Sequence, residues 1–122
     1  MKSLTRKEEE IMKILWDIKE GFVKDIIDQY PDPKPHYNTI SSIVRLLDEK
    51  GIVGHKAFGN TYLYFPVLKK EDYRKTFMKD AIREYFDNSY KQTVSMFIDE
   101  QHLSKDDLDE LINLIKSKKE EL

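Results

Sequence analysis

No cysteine occurs in the chain, which excludes a disulfide framework, a thiolate metal site and a cysteine nucleophile. Glycine and proline are sparse, with four of each, and the scattered glycines form neither a phosphate-cradling loop nor a nucleophile elbow. Long apolar runs are also missing: none approaches the roughly eighteen residues that a membrane span needs. The opening Met1 to Glu10 has no apolar stretch behind its basic residues, so it does not read as a secretory signal, and a cytoplasmic protein is expected. Histidine is limited to His36, His55 and His102. No two of them stand three or four residues apart, so no helical metal pair forms, and neither metal nor cofactor is expected. Carboxylates cluster at Glu8 to Glu10 and at Asp106 and Asp107, but these are helix starts, where acids oppose the positive end of the helix dipole. Nothing in the pattern calls for an enzyme.

What is present is a charged, helix-forming sequence of 122 residues, 36% of them charged and 39% hydrophobic. Seven Tyr, six Phe and one Trp spread along its length speak against disorder. The net charge is −2, an unpromising total for binding phosphate, but its distribution matters more. Between residues 33 and 63 stand Lys34, Arg45, Lys50 and Lys56 against Asp48 and Glu49 alone, so this segment is locally basic, while the tail beyond residue 68 is acidic.

Thr5 and Glu8 form a capping-box pattern ahead of Ile11, Leu15 and Ile18, which predicts a helix over about 6–18 ended by Gly21. Val23, Ile26, Ile27 and Tyr30 predict a second helix over about 22–30. Three prolines in Pro31 to Pro35 then stop any helix and stiffen the entry to the next. A third helix, about 36–50, carries Ile40, Ile43, Val44 and Leu47 and is closed by Gly51. Ile52 to Ala57 and Thr61 to Phe65 read as two strands joined through Phe58-Gly59-Asn60. Three helices and a hairpin are the layout of a winged helix. Beyond Pro66 three more helices follow, about 70–87, about 90–99 and one capped by Ser104. Their apolar positions include Tyr73, Phe77, Ile82, Tyr85, Phe86, Val94, Phe97, Leu108, Leu111, Ile112 and Ile115. So much apolar surface on three short helices is most simply buried by a second copy of the chain. The expected architecture is thus mainly α with a small β-hairpin: a winged-helix DNA-binding domain at 1–68 and a helical dimerisation region at 69–122.

On a helical wheel of about 100° per residue, the apolar stripe of the third helix opposes Asn38, Ser41, Ser42, Arg45 and Glu49. Asn suits adenine, Arg suits guanine, and short hydroxyls let a helix sit deep in a major groove. Asn38 to Ser42 are mostly poor helix formers, so their presence on an exposed face asks for a reason beyond folding. Thr39 at the flank suits a phosphate, and Tyr37 packs or contacts the backbone. Lys56, His55 and Asn60 are expected at or near the tip of the wing. Tyr62 and Tyr64 alternate with Leu63 and Phe65, so one of these pairs faces the core.

Residues Leu4 to Trp16, Tyr37 to Leu68 and Phe97 to Ile115 together resemble the penicillinase repressor family, and the resemblance spans nearly the whole chain. It implies a winged helix on double-stranded palindromic operators, a C-terminal region that intertwines two subunits, and control of genes of the β-lactam response or of metal homeostasis. It also implies, for the β-lactam branch, a membrane-bound sensor metalloprotease whose signal leads to cleavage within the dimerisation helices. Carried over by position, Asn38, Thr39, Ser41, Ser42 and Arg45 match the recognition helix, and Lys56 matches a basic wing residue. The chain departs from the pattern in having Glu9 where many members have Trp, and Asn60 where a basic residue often stands. Met96 precedes Phe97 where the cleaved bond has Asn before Phe, so Met96-Phe97 is the corresponding bond. The copper-responsive branch uses a cysteine cluster that is absent here. A protein-interaction winged helix and a small-molecule-responsive regulator are the alternatives that the residues leave open.

Overall fold

The computed structural model describes residues 4–122. The elements run α1 (Arg6–Ile18), α2 (Val23–Asp28), α3 (Tyr37–Glu49), β1 (Val53–Phe58), β2 (Thr61–Pro66), α4 (Lys70–Phe86), α5 (Tyr90–Glu100) and α6 (Lys105–Glu120). The order and type of every element agree with the sequence reading, and the ends which that reading gives shift by at most two residues. By compactness the chain falls into two units that divide between Met78 and Lys79, inside α4, whereas the sequence reading sets its functional division at 68/69.

In the first unit, the capping box at Thr5 forms as expected: the Glu8 amide donates to Thr5 Oγ1 at 3.2 Å and the Thr5 amide to Glu8 Oε1 at 2.9 Å. The helix does not end at Gly21, however. Lys19 turns the chain with a φ of 75°, which frees Gly21 to pair with β2 through Gly21 N to Tyr64 O at 2.9 Å and Tyr64 N to Gly21 O at 2.8 Å. Gly21 is buried, and a Cβ there would lie 2.8 Å from Ile18 Cδ1 and 3.1 Å from Asp25 Cβ. Its role is to lay backbone against the base of the hairpin, not to cap. The core gathers Ile11, Met12, Leu15, Val23, Ile26, Ile40, Val44, Leu47, Val53 and Tyr64 from three helices and both strands, each aliphatic side chain contributing roughly 1.5–3 kcal/mol through burial.

Two polar ties cross this unit. Glu8 is 5% exposed, and its carboxylate accepts from Lys50 Nζ, at the end of α3, at 2.8 Å. Burial alone would raise the Glu8 carboxyl, but Lys50 and the Thr5 amide outweigh it and hold the group below the usual carboxylate range. Such a group stabilises the fold fully above its unfolded pKa and loses that contribution as pH falls through its folded value. The urea midpoint is therefore expected to fall as pH drops below about 4.5. Glu8→Gln should be less stable by about 1–3 kcal/mol at neutral pH and show a shallower acid slope; parallel slopes for the two proteins would contradict the tie.

The second tie links α1 to the start of α4. Trp16 donates its indole N–H to Leu68 O at 2.8 Å and packs against the Tyr73 ring at 5.6 Å, while the Tyr73 hydroxyl donates to Glu9 Oε2 at 2.8 Å. Burial, aided by Glu9, pushes the Tyr73 hydroxyl up to about 12. The same hydrogen bond, with Lys13, lowers Glu9. Glu9 thus has a definite partner within its own chain.

The second unit, Lys79–Leu122, is held by local devices. Asp87 and Asn88 take left-handed φ of 50° and 65°, and short polar side chains tolerate that conformation best after glycine. Ser89 caps α5 through the Gln92 amide at 3.1 Å. Ser104 and Asp107 form a reciprocal capping box on α6 at 3.0 and 3.2 Å. Among the described residues no apolar side chain of this unit is buried; Thr93 is the one residue that is.

Candidate nucleic-acid interface

Helix α3 is framed on both sides before its outer face can matter. On entry, Lys34 Nζ donates to Asp28 O at 3.0 Å and to Tyr30 O at 2.5 Å, fixing the proline segment onto the carbonyl end of α2. On exit, Gly51 takes a φ of 76°, with Gly51 N to Asp48 O at 3.0 Å and Ile52 N to Leu47 O at 2.9 Å. This is a Schellman closure, where glycine is favoured because the left-handed position tolerates no Cβ cheaply. Ile40, Val44 and Leu47 face the core.

The outward face holds Asn38, Thr39, Ser42, Arg45 and Glu49, all exposed. Among the described residues no ion pair engages Arg45. Ser41 departs from the sequence reading: it is half-buried, because at about 100° per residue it falls beside Tyr37 and Asp48 on the flank nearest the hairpin. Tyr37 is 55% exposed and Leu46 is 50% exposed. Leu46 adds an apolar position to the outer face that a polar-face reading overlooks.

The N-terminus of α3 differs from the other helix starts. His36 gives no side-chain cap, and the first turn holds no acid. Helices α1, α2, α4 and α6 each carry acidic residues in the first turn, and α5 is capped by Ser89. Free amides and an unopposed helix dipole make the start of α3 the place best suited to an anion such as a phosphate. The signal was present in the sequence as a first turn reading Tyr37-Asn38-Thr39.

The hairpin pairs Val53 with Pro66, His55 with Tyr64, Lys56 with Leu63, Ala57 with Tyr62 and Phe58 with Thr61. Its tip is Gly59-Asn60, with Gly59 at a φ of 59° and Asn60 exposed. Lys56 and His55 stand further back than expected. Lys56 belongs to the face that also carries Gly54, Leu63 and Phe65; its ammonium lies 3.9 Å from Glu20 Oε2 and 5.7 Å over the Phe65 ring. A Cβ on Gly54 would meet that ring at 2.7 Å, so glycine lets Phe65 lie flat across the strand. On the opposite face His55 is hydrogen-bonded to the Asp48 carboxylate of α3. Tyr64 is the core-facing member of that face at 5% exposure, while Tyr62 is 47% exposed. Burial, with Asp48 nearby, raises the Tyr64 hydroxyl, so it remains a protonated donor.

The residues expected to join two copies separate into two groups. Tyr73 already has partners in its own chain, Trp16 and Glu9, and is 8% exposed, so it packs within the first unit. Phe77, which packs against Tyr73 at 6.1 Å, is 52% exposed. In the second unit Tyr85, Val94, Phe97, Leu111, Ile112 and Ile115 are exposed, and Ile82, Phe86 and Leu108 half-buried. Met96 and Phe97 sit within α5, 39% and 43% exposed.

Comparison with known proteins bears on this geometry. Residues 4–117 match the family model described as penicillinase repressor. The chain is 24% identical over 116 residues to the methicillin resistance regulatory protein MecI of Staphylococcus aureus (strain N315) and to that of Staphylococcus epidermidis, with 94% of each chain covered. To MecI of Mammaliicoccus sciuri it is 25% identical over 118 residues, again with 94% covered on both sides.

Proposed function

The chain belongs to the penicillinase repressor family, and from that premise we propose that it is a transcriptional repressor that binds a palindromic operator in double-stranded DNA as a homodimer. The observation that carries the reading is α3 itself. Its outer face is short, polar and exposed apart from Arg45, Glu49 and Leu46, and its first turn is the one helix start among the described residues with neither acid nor side-chain cap. Asn38, Ser42 and Arg45 read base edges, and Thr39 with the amides of the first turn holds a phosphate. Ser41 supports the helix flank, Tyr37 and Asn60 border the site, and Lys56 adds a weak long-range contribution because Glu20 offsets its charge.

Dimerisation rests on the second unit. A segment of this size with no buried apolar side chain does not stabilise itself, and Tyr85, Val94, Phe97, Leu111, Ile112 and Ile115 offer the surface that a second copy would cover. Release by a membrane-bound sensor metalloprotease fits the same region. Met96-Phe97 lies within a helix, so a protease that takes an extended strand reaches this bond only when α5 opens locally.

Selection of binding sites from a randomised duplex pool by the full chain tests the reading. The expected product is a two-fold symmetric site with half-sites about one helical turn, 10–10.5 base pairs, apart. Recovery of no enriched sequence would remove the operator from the proposal.

A further inference from the structure

The hairpin face turned toward α3 carries a stack of side chains that base reading leaves without a role. Asp48 accepts a hydrogen bond from the His55 ring. That ring lies 4.4 Å from the Tyr62 ring, tilted by 38°, and 6.2 Å from Tyr64. Tyr62 and Tyr64 meet edge to face at 6.2 Å and 85°. The bottom of the stack is fixed, since Tyr64 is buried and its backbone is bonded to Gly21. The top is open, with Tyr62 47% exposed.

An exposed tyrosine flanked by two rings has less rotational freedom to lose than an unsupported one, so a contact made by its hydroxyl costs less further ordering. The wing's own cation is elsewhere: Lys56 is on the other face, beside Glu20. The α3-facing side, formed by Val53, His55, Ala57, Tyr62, Tyr64 and Pro66, offers His55, already bonded to Asp48, and the two tyrosine hydroxyls. Arg45 borders this side from α3, close enough for its charge to act on Tyr64. On the operator-binding reading, duplex DNA lying along the outer face of α3 would pass the hairpin on this side.

We propose that Tyr62 is the wing's contact with the DNA backbone, donating its hydroxyl to a phosphate oxygen, and that Asp48 and His55 are positioning residues that hold its ring. The proposal rests on the operator-binding reading above. A neutral donor of this kind adds affinity without sequence preference and without releasing a counterion, because the charge count is unchanged.

The test uses the full chain and measures binding to the selected duplex and to a scrambled duplex of equal length across a salt series. Tyr62→Phe keeps the stack and removes only the hydroxyl. It should weaken both duplexes equally by about five-fold, the equivalent of one hydrogen bond, with an unchanged salt slope and an unchanged melting temperature. His55→Ala should weaken binding similarly in the wild-type background and add less than two-fold in the Tyr62→Phe background, since both changes remove one contact. Tyr62→Phe binding within two-fold of wild type would overturn the proposal, as would a loss confined to the selected duplex, or independent losses from the two changes. Wild-type chain that retains neither duplex would instead overturn the repressor reading, and the Tyr62 contact with it.

Discussion

Ending the chain after Met78 is expected to leave a folded unit that binds the selected operator at least about a hundred-fold more weakly than the full chain. The first unit has its own core, and its charged residues nearly cancel: residues 1–78 hold fourteen Lys or Arg and twelve Asp or Glu. Few counterions are displaced by such a surface, so one copy gains little from electrostatics. On the dimer reading, joining two copies would make the second half-site contact intramolecular and supply the missing affinity without new contacts. The place of truncation follows from the packing. A chain ended at Leu68 would lose Tyr73 and uncover Trp16, confusing loss of dimer with loss of fold, whereas Met78 keeps the Trp16, Tyr73 and Glu9 tie. Sedimentation together with fluorescence anisotropy checks the result. A folded, monomeric truncation that binds as tightly as the full chain would mean that the second unit has another purpose.

The next largest effect is expected from Arg45→Ala. Arg45 is the one cation on the exposed face of α3, and among the described residues it forms no ion pair, although Glu49 shares that face. A bidentate guanidinium contact to guanine discriminates by about 1–3 kcal/mol, roughly five- to 150-fold. The loss should fall on the selected site and leave the scrambled duplex comparatively untouched, unlike the uniform loss from Tyr62→Phe. Because Arg45 is exposed and α3 is fixed by Ile40, Val44, Leu47 and Gly51, the substitution should not change thermal stability.

Much of this was legible in the sequence, for identifiable reasons. Helices with a regular apolar stripe and a capping pattern, such as α1 and α3, are set by local periodicity, and their ends came out within two residues. Gly51 was legible because a Schellman closure is a local motif. Gly21 reads locally as the same kind of stop, but its partner is Tyr64, far along the chain, and a long-range bridge leaves no local mark. Ser41 was placed on the outer face by the wheel, and only the position of the hairpin turns it into a flank residue. Lys56 and His55 were set too near the tip because the strands run one residue further than expected, and the opposing charge of Glu20 comes from another element. Tyr73 looked like one more position in an apolar arc; its bond to Glu9 could not be read from spacing alone. The missing acid in the first turn of α3, by contrast, is a local feature of Tyr37-Asn38-Thr39 and is legible from the residues alone.

That α3 reads sequence through Arg45 can be tested by one ratio: affinity for the selected duplex divided by affinity for its scramble, in the full wild-type chain and in Arg45→Ala, at one salt concentration. The wild-type ratio should be large, and it should fall by roughly five- to 150-fold in the variant while the melting temperature holds. An unchanged ratio would mean that α3 does not read the operator through Arg45.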